Sequence, residues 1–280
     1  MDKLKRITSD LKKSGIDNPQ KEAELIIVHA EKIEREVLFR DDPELSIEGS
    51  GRIDEYLDRR LQGEPLQYIL GYVDFYGLKI RVGRGVLIPR PETELLVDNV
   101  IKSGAWDFRS GHKDNINVLD LCTGSGCMAL AIANNIPDAE VYATDISGTA
   151  LEYARENARL HGIDNVTFLL GDLFDPVRGK KFHVIVSNPP YIKSADIPDL
   201  QGEIRDWEPV EALDAGEDGL EYYRRIISDL GKYLVRNGQC FLEIGFDQRY
   251  EIESLVKQRD FNISFRKDLA GYDRTAILSF

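Results

Sequence analysis

From residue 116 to the end of the chain, short apolar runs alternate with amphipathic stretches. Strand candidates are NVLDL (117–121), EVYAT (140–144), VTFLL (166–170), HVIVS (183–187), QCFLEI (239–244), NISFRK (262–267) and TAILSF (275–280). Helical patterns occupy 127–135, 148–161 and 220–235. Parallel neighbours in a sheet need a crossover, most often a helix, so this alternation predicts an α/β fold with a parallel sheet covered on both faces. The last two candidates are separated only by DLAGYDR, too short for a crossover helix, and are expected to pair antiparallel.

The first 64 residues have a different period. Leu4, Ile7 and Leu11 recur at helical spacing. Asn18 is a candidate N-cap with Pro19 at the first helical position, and Ala23, Ile26, Ile27 and Ala30 share one face. IDEYLDRRL from Ile53 continues the pattern. A small helical bundle is expected over 1–64, serving as scaffold or as a docking element. Residues 65–90, rich in aromatic and β-branched residues and punctuated by Gly71, Gly77, Gly83 and Gly85, read as a β-hairpin linking it to a second domain over 91–280. Thr93 can cap a helix that buries Leu95, Leu96, Val100 and Ile101. SGHKDN from Ser110 reads as a polar loop.

With 36 basic and 49 acidic residues the formal charge is −13. A polyanion would need a local basic patch against this background. The densest basic runs, Lys3 to Lys13 and Arg59-Arg60, are interleaved with acids and apolar residues and read as helix surface. Nucleic acid is therefore disfavoured as a partner. No apolar run reaches the roughly 20 residues that span a bilayer. MDKLKRITSDLKK has no apolar core of a leader peptide, so no membrane association and a cytoplasmic location are expected. Cys122, Cys127 and Cys240 read as reduced, small, partly buried residues; Cys122 and Cys127 lack the further ligands of a zinc site, and no metal is expected.

VLDLCTGSGCMALA follows the first strand of the alternating region. Gly124 and Gly126 allow a tight turn and close approach to a ligand, and the helix from Cys127 aims free N–H groups toward it. Glycines also close ordinary βα turns. Asp145 adds weight: it ends the second strand, where a carboxylate can accept both hydroxyls of a ribose. Together they indicate an adenosine-containing ligand. A dinucleotide would need parallel strands beyond the fourth. Here the sheet closes antiparallel and a reactive-looking turn sits at the fourth strand's tip, which favours S-adenosylmethionine. Asp172 can accept from the adenine amino group, with Leu173 against the ring, although a loop acid capping a helix has the same look.

That reactive-looking turn is VIVSNPPYI. Two consecutive prolines cannot donate to a ladder, so the strand ends there. A planar amide or exocyclic amine that attacks a methyl group gains positive charge on nitrogen as it pyramidalises. Acceptors at its two N–H bonds stabilise that charge, each contributing about 3 kcal/mol by analogy with oxyanion-hole donors. Asn188 supplies a side-chain carbonyl. Pro189 supplies a backbone carbonyl whose conformation Pro190 restricts, and Tyr191 offers an aromatic face. The plainer reading is a strand-ending turn.

NPPYI after a fourth strand resembles the amino-methyltransferases that act on glutamine, adenine or guanine. With GEPLQYILG (63–71), VLIPRPETELLV (86–97), DLAGYDR (268–274) and LDLCTGSGC, nearly the whole chain resembles the HemK-type protein-(glutamine-N(5)) methyltransferases that modify peptide chain release factors. The resemblance implies a class I, Rossmann-like seven-stranded sheet with its last strand antiparallel, behind a helical domain that docks the release factor. It implies that Cys122, Thr123, Gly124, Ser125 and Gly126 wrap the methionine end of S-adenosylmethionine, leaving S-adenosylhomocysteine as product. Asp145 would hold the ribose with Ile146 beside it, and Asp172 and Leu173 would border the adenine. Asn188, Pro189, Pro190 and Tyr191 would bind the glutamine amide of the Gly-Gly-Gln loop, with Pro91, Glu92 and Thr93 near the pocket and 208–226 following the cradle. Cys122 stands where many members have glycine, and a thiol fits there if the backbone is not left-handed. Rival readings are a ribosomal-protein glutamine methyltransferase, an N(6)-adenine methyltransferase of DNA or RNA, and a non-catalytic binding module.

Overall fold

The computed structural model describes residues 2–41, 46–104 and 116–280. The SGHKDN loop lies outside the described residues. The chain forms two compact units, Met1–Tyr72 with Gln201–Trp207, and Val73–Leu200 with Glu208–Phe280.

The first unit is helical: α1 (Asp2–Lys13), α2 (Pro19–Glu31), α3 (Arg35–Asp41), α4 (Ile47–Leu61), α5 (Leu66–Leu70) and the short α9 (Gly202–Arg205). Its core joins Leu4, Ile7 and Leu11 to Ala23, Ile26, Ile27, Ala30, Ile53 and Leu57. Pro19 starts α2, but the Asn18 side chain makes no capping bond. Helix α4 starts six residues before Ile53, at Ile47, capped by Ser46, whose side chain accepts from Gly49 N at 2.8 Å. Gly49 and Gly51 mask this helix in the sequence. At Gly49 a Cβ would lie 2.0 Å from a Glu31 carboxylate oxygen. Arg60 departs from its reading as helix surface. It is buried, with its guanidinium donating to Glu22 at 2.7 Å and 2.9 Å from a Glu203 carboxylate oxygen, because a guanidinium leaves water only with carboxylates to satisfy it.

The strands β1 (Tyr72–Phe75) and β2 (Leu78–Arg81) form a ribbon. The seven-stranded sheet contains β3 (Ile116–Leu121), β4 (Ala139–Asp145), β5 (Val166–Leu170), β6 (Phe182–Ser187), β7 (Leu234–Glu243), β8 (Asn262–Lys267) and β9 (Asp273–Ser279), in the order β5-β4-β3-β6-β7-β9-β8. The pairs from β5 to β7 are parallel, and β9 is antiparallel to both neighbours. Helices α6 (Pro91–Lys102), α7 (Cys127–Asn135), α8 (Gly148–His161), α10 (Glu221–Tyr233) and α11 (Arg249–Val256) complete the unit.

Two local expectations change. Helix α6 begins at Pro91, two residues before Thr93, because proline fits the first helical turn. Thr93 is thus inside the helix, and its buried hydroxyl bonds elsewhere. Helix α10 stops at Tyr233, and 234–235, read as its end, already belong to β7. Among the described residues no helix is long and apolar enough to cross a membrane.

Candidate active site

The sheet's topology brings the two motif-bearing turns together. β3 is flanked by β4 and β6, and Leu121 is in register with both Thr144 and Ser187. The chain therefore leaves the glycine turn, Asp145 and Asn188 from three adjacent strand ends, on the carboxyl edge where open α/β sheets bind ligands. Ser187 Oγ donates to Leu121 O at 2.8 Å, tying the fourth parallel strand's tip to the first.

The glycine turn is held from beneath by Asp120 and from the side by Asp145. Asp120 Oδ2 accepts from Thr123 Oγ1 at 2.6 Å and from Ala129 N at 3.1 Å, joining turn to helix. Its other oxygen is buried with no partner among the described residues, and burial pushes the group up to about 7. Asp145 accepts from Gly124 N and Ser147 N, each at 2.8 Å. Burial raises its pKa against these backbone bonds, which oppose the shift. Gly124 and Gly126 have positive φ, at 57° and 79°. A Cβ at Gly126 would come within 3.2 Å of the Ala154 backbone, so only glycine lets the turn settle on α8. Asn157 on α8 reinforces that contact, donating to Ser125 O at 2.9 Å while accepting from Arg81 N at 2.7 Å.

Cys122 has φ 58°, so the condition that its backbone is not left-handed does not hold. The strand must swing sharply into the glycine turn, and an L-residue there costs about 1–2 kcal/mol. Leu173 is left-handed as well, and its carbonyl accepts from Thr144 Oγ1 at 3.0 Å.

These groups open onto a cavity of about 490 Å³, within the range of small-molecule and cofactor sites. Its wall includes Cys122, Thr123, Gly124, Ser125, Asp145, Ile146, Asp172, Leu173, Asn188, Pro190 and Thr93. Gly126, Pro189, Tyr191, Pro91 and Glu92 are not on the wall. Gly126 packs on α8, as described. Tyr191 packs against the core, and its carbonyl accepts from Gln248 at 2.9 Å. Asp172 forms an ion pair with Arg225 of α10.

Further wall residues come from stretches that stand out in the sequence without a site role for these positions, Val86, Leu87 and Pro89 from 86–97 and Pro209, Ala212 and Tyr222 from 208–226, and Thr149 lies in no motif. Glu208 links two of these stretches. Buried, it accepts from Ile88 N at 3.1 Å and pairs with Arg90 at 2.5 Å, so segment 86–90 and loop 209–212 are fixed to each other. Asn188 is steadied from behind: its Nδ2 donates to Thr93 Oγ1 at 3.3 Å, and Thr93 donates to Glu243 Oε2 at 2.7 Å.

Comparison with known proteins agrees with this architecture. Residues 2–71 match the PrmC N-terminal domain and residues 112–242 a methyltransferase domain. The chain is 48% identical over 259 residues to the release factor glutamine methyltransferase of Thermodesulfovibrio yellowstonii, covering 92% of this chain and 91% of the relative. It is 40% identical over 264 residues to that of Moorella thermoacetica, covering 93% and 91%. A methyltransferase structure from Pyrococcus furiosus, 18% identical, superimposes with a TM-score of 0.51 over 72% of this chain and 88% of its own, a likeness of fold alone. The chain belongs to the release factor glutamine methyltransferase family.

Proposed function

We propose that this protein transfers the methyl group of S-adenosylmethionine to the side-chain amide nitrogen of the glutamine in the Gly-Gly-Gln loop of class-1 peptide chain release factors. The observation that carries this reading is the direct register of Leu121 with Ser187, which places the glycine turn and Asn188 on one cavity.

The wall suits the cofactor. Ser125 Oγ is buried without a partner among the described residues, and Ser125 lies on the cavity. A Cβ at Gly124 would meet only Val86 Cγ2, at 3.9 Å, so a ligand can approach the backbone. Asp145 keeps lone pairs for ribose hydroxyls beyond its two backbone donors. Ile146 would flank the ribose, and Asp172 and Leu173 would border the adenine, with Arg225 holding Asp172 in place. When bound, the cofactor supplies an electrophilic methyl on a positively charged sulfur.

The chain's own residues do the rest. Asn188 Oδ1 would accept one N–H bond of the glutamine amide from the cavity wall, and the carbonyl of Pro189, off the wall itself but between the wall residues Asn188 and Pro190, would accept the other, stabilising the charge that grows on nitrogen and aiming its lone pair into the cavity. Cys122 and Cys127 also lie on the wall, and burial raises both thiols far above neutrality. Their sulfurs keep their protons, which spares them as competing nucleophiles. In this reading residues 1–64 dock the release factor, 65–90 connect, and 91–280 catalyse.

The test is incubation with methyl-labelled S-adenosylmethionine and, in parallel, a release factor, ribosomal proteins and DNA. Label is expected in the release factor and lost when its Gly-Gly-Gln glutamine is replaced by alanine. Label found only in nucleic acid or ribosomal protein overturns the substrate assignment.

A further inference from the structure

Asn188 can accept from a substrate amide only if its side-chain oxygen, not its nitrogen, faces the cavity. The two arrangements differ by a half-turn of the amide and have nearly the same shape. The groups that choose between them stand behind the residue. Thr93 and Glu243 are almost wholly buried, at 2% and 1% exposure, so water does not replace either in the network. A hydroxyl carries one proton, and an ionised carboxylate only accepts. With Glu243 ionised, Thr93 gives its proton to Oε2, at 2.7 Å. Its oxygen can then only accept, and Asn188 must turn Nδ2 toward it, as the 3.3 Å contact has it. Oδ1 is left for the cavity.

We propose that Glu243 is a positioning residue for methyl transfer: acting through Thr93, its carboxylate selects the orientation of the Asn188 amide that receives the substrate's N–H groups. This rests on the reading of Asn188 as the amide acceptor. Protonation of Glu243 on Oε2, the oxygen that Thr93 contacts, reverses the chain. Its O–H donates to Thr93, the Thr93 proton turns to Asn188 Oδ1, and the Asn188 NH₂ then faces the substrate NH₂, donor against donor.

Six groups among the described residues surround the switch, the first of them Cys127 from α7. Thr93 and Glu92 come from α6, Tyr191 follows β6, Arg274 comes from β9, and Tyr223 of α10 donates to the Glu243 main-chain oxygen at 2.8 Å. Burial and Glu92 favour the neutral acid, while Thr93, Arg274 and the Tyr191 hydroxyl favour the carboxylate. The balance puts Glu243 at about 7, where both forms are populated near neutrality.

Two measurements test the relay. In the protein without substrate, the ¹⁵N-labelled side-chain NH₂ signals of Asn188, identified by their loss in Asn188→Ala, should move with a midpoint near the Glu243 value of about 7. Glu243→Gln should abolish that movement. In turnover, wild-type kcat should fall about tenfold per pH unit below that midpoint, and Glu243→Gln should be flat across the same range, because an amide does not titrate there. Thr93→Val should lower kcat about tenfold or more with calorimetric affinity for S-adenosylhomocysteine intact, and Thr93→Ser should restore most of the loss. Signals that stay fixed through the titration, or a Thr93→Val enzyme as fast as wild type, overturn the relay. Signals that titrate while no release factor is methylated at any pH support the relay and count against the substrate reading instead.

Discussion

On the proposed reading, Asn188→Ala removes an amide acceptor from the cavity wall while leaving the turn's prolines in place. The variant is expected to fold, to bind S-adenosylhomocysteine with unchanged affinity, and to lose about two to three orders of magnitude in kcat, the size of an oxyanion-hole deletion. Single-turnover methylation of a release factor checks this, and near-wild-type turnover would remove the cradle from the mechanism. Asp120 has a different signature. Its folded pKa is raised from 3.8 to about 7, so between those values the folded protein holds a proton that the unfolded chain has released. Stability from this group is therefore fully present below 3.8, declines as pH rises through that window, and is lowest above it. Asparagine cannot ionise, so the melting temperature of Asp120→Asn minus that of wild type should increase by several degrees between about pH 5 and pH 8, whatever its starting value. A difference that is constant with pH would mean that Asp120 does not titrate in this range. Glu243 adds to the wild-type decline with the same sign.

The inner parallel strands β3, β4 and β6 were legible as elements because they are buried over most of their length and read as largely apolar runs, while β5, at the sheet edge with no buried residue, showed only through its β-branched and aromatic residues. Their order then follows from packing, and the register of Leu121 with Ser187 turns two separate motifs into one site. Helix α11 left no trace: it has eight residues, no side-chain cap, and only Ile252 and Val256 buried. Glu208 and Glu243 were illegible for another reason. Their partners lie far away in sequence, 118 positions from Glu208 to Arg90 and 150 from Glu243 to Thr93, and no local period encodes a pairing across such separations. Tyr191 illustrates the converse. Its place in the motif suggested a stacking face, whereas it is partly buried against the core and lies off the cavity wall. At this scale the Glu208 clamp makes its own prediction. Glu208→Ala leaves Arg90 without its carboxylate and frees the 209–212 loop, at a cost of about 3 kcal/mol in denaturant titrations. Cofactor-product affinity should fall as well, because the clamp fixes two stretches of cavity wall. A variant of unchanged stability would show that the pair is only decorative.

The second unit alone supplies every residue of the cavity wall. A chain beginning at Val73 should therefore retain measurable affinity for S-adenosylhomocysteine by calorimetry, and complete loss of binding would tie the pocket to the helical unit. The same chain should lose methylation of the intact release factor if the helical unit is the docking element. The formal charge of −13 predicts weak association with DNA that vanishes at moderate salt.

The polypeptide passes between its two units three times, after Tyr72, Leu200 and Trp207. Removing everything ahead of Val73 thus strands Gln201–Trp207, whose Glu203 loses Arg60 with the deletion. A minimal catalytic fragment calls for two edits, one at the terminus and one that replaces this internal graft with a short polar loop. For the same reason, exchanging the helical module between relatives takes two coordinated recombination events rather than a single gene fusion.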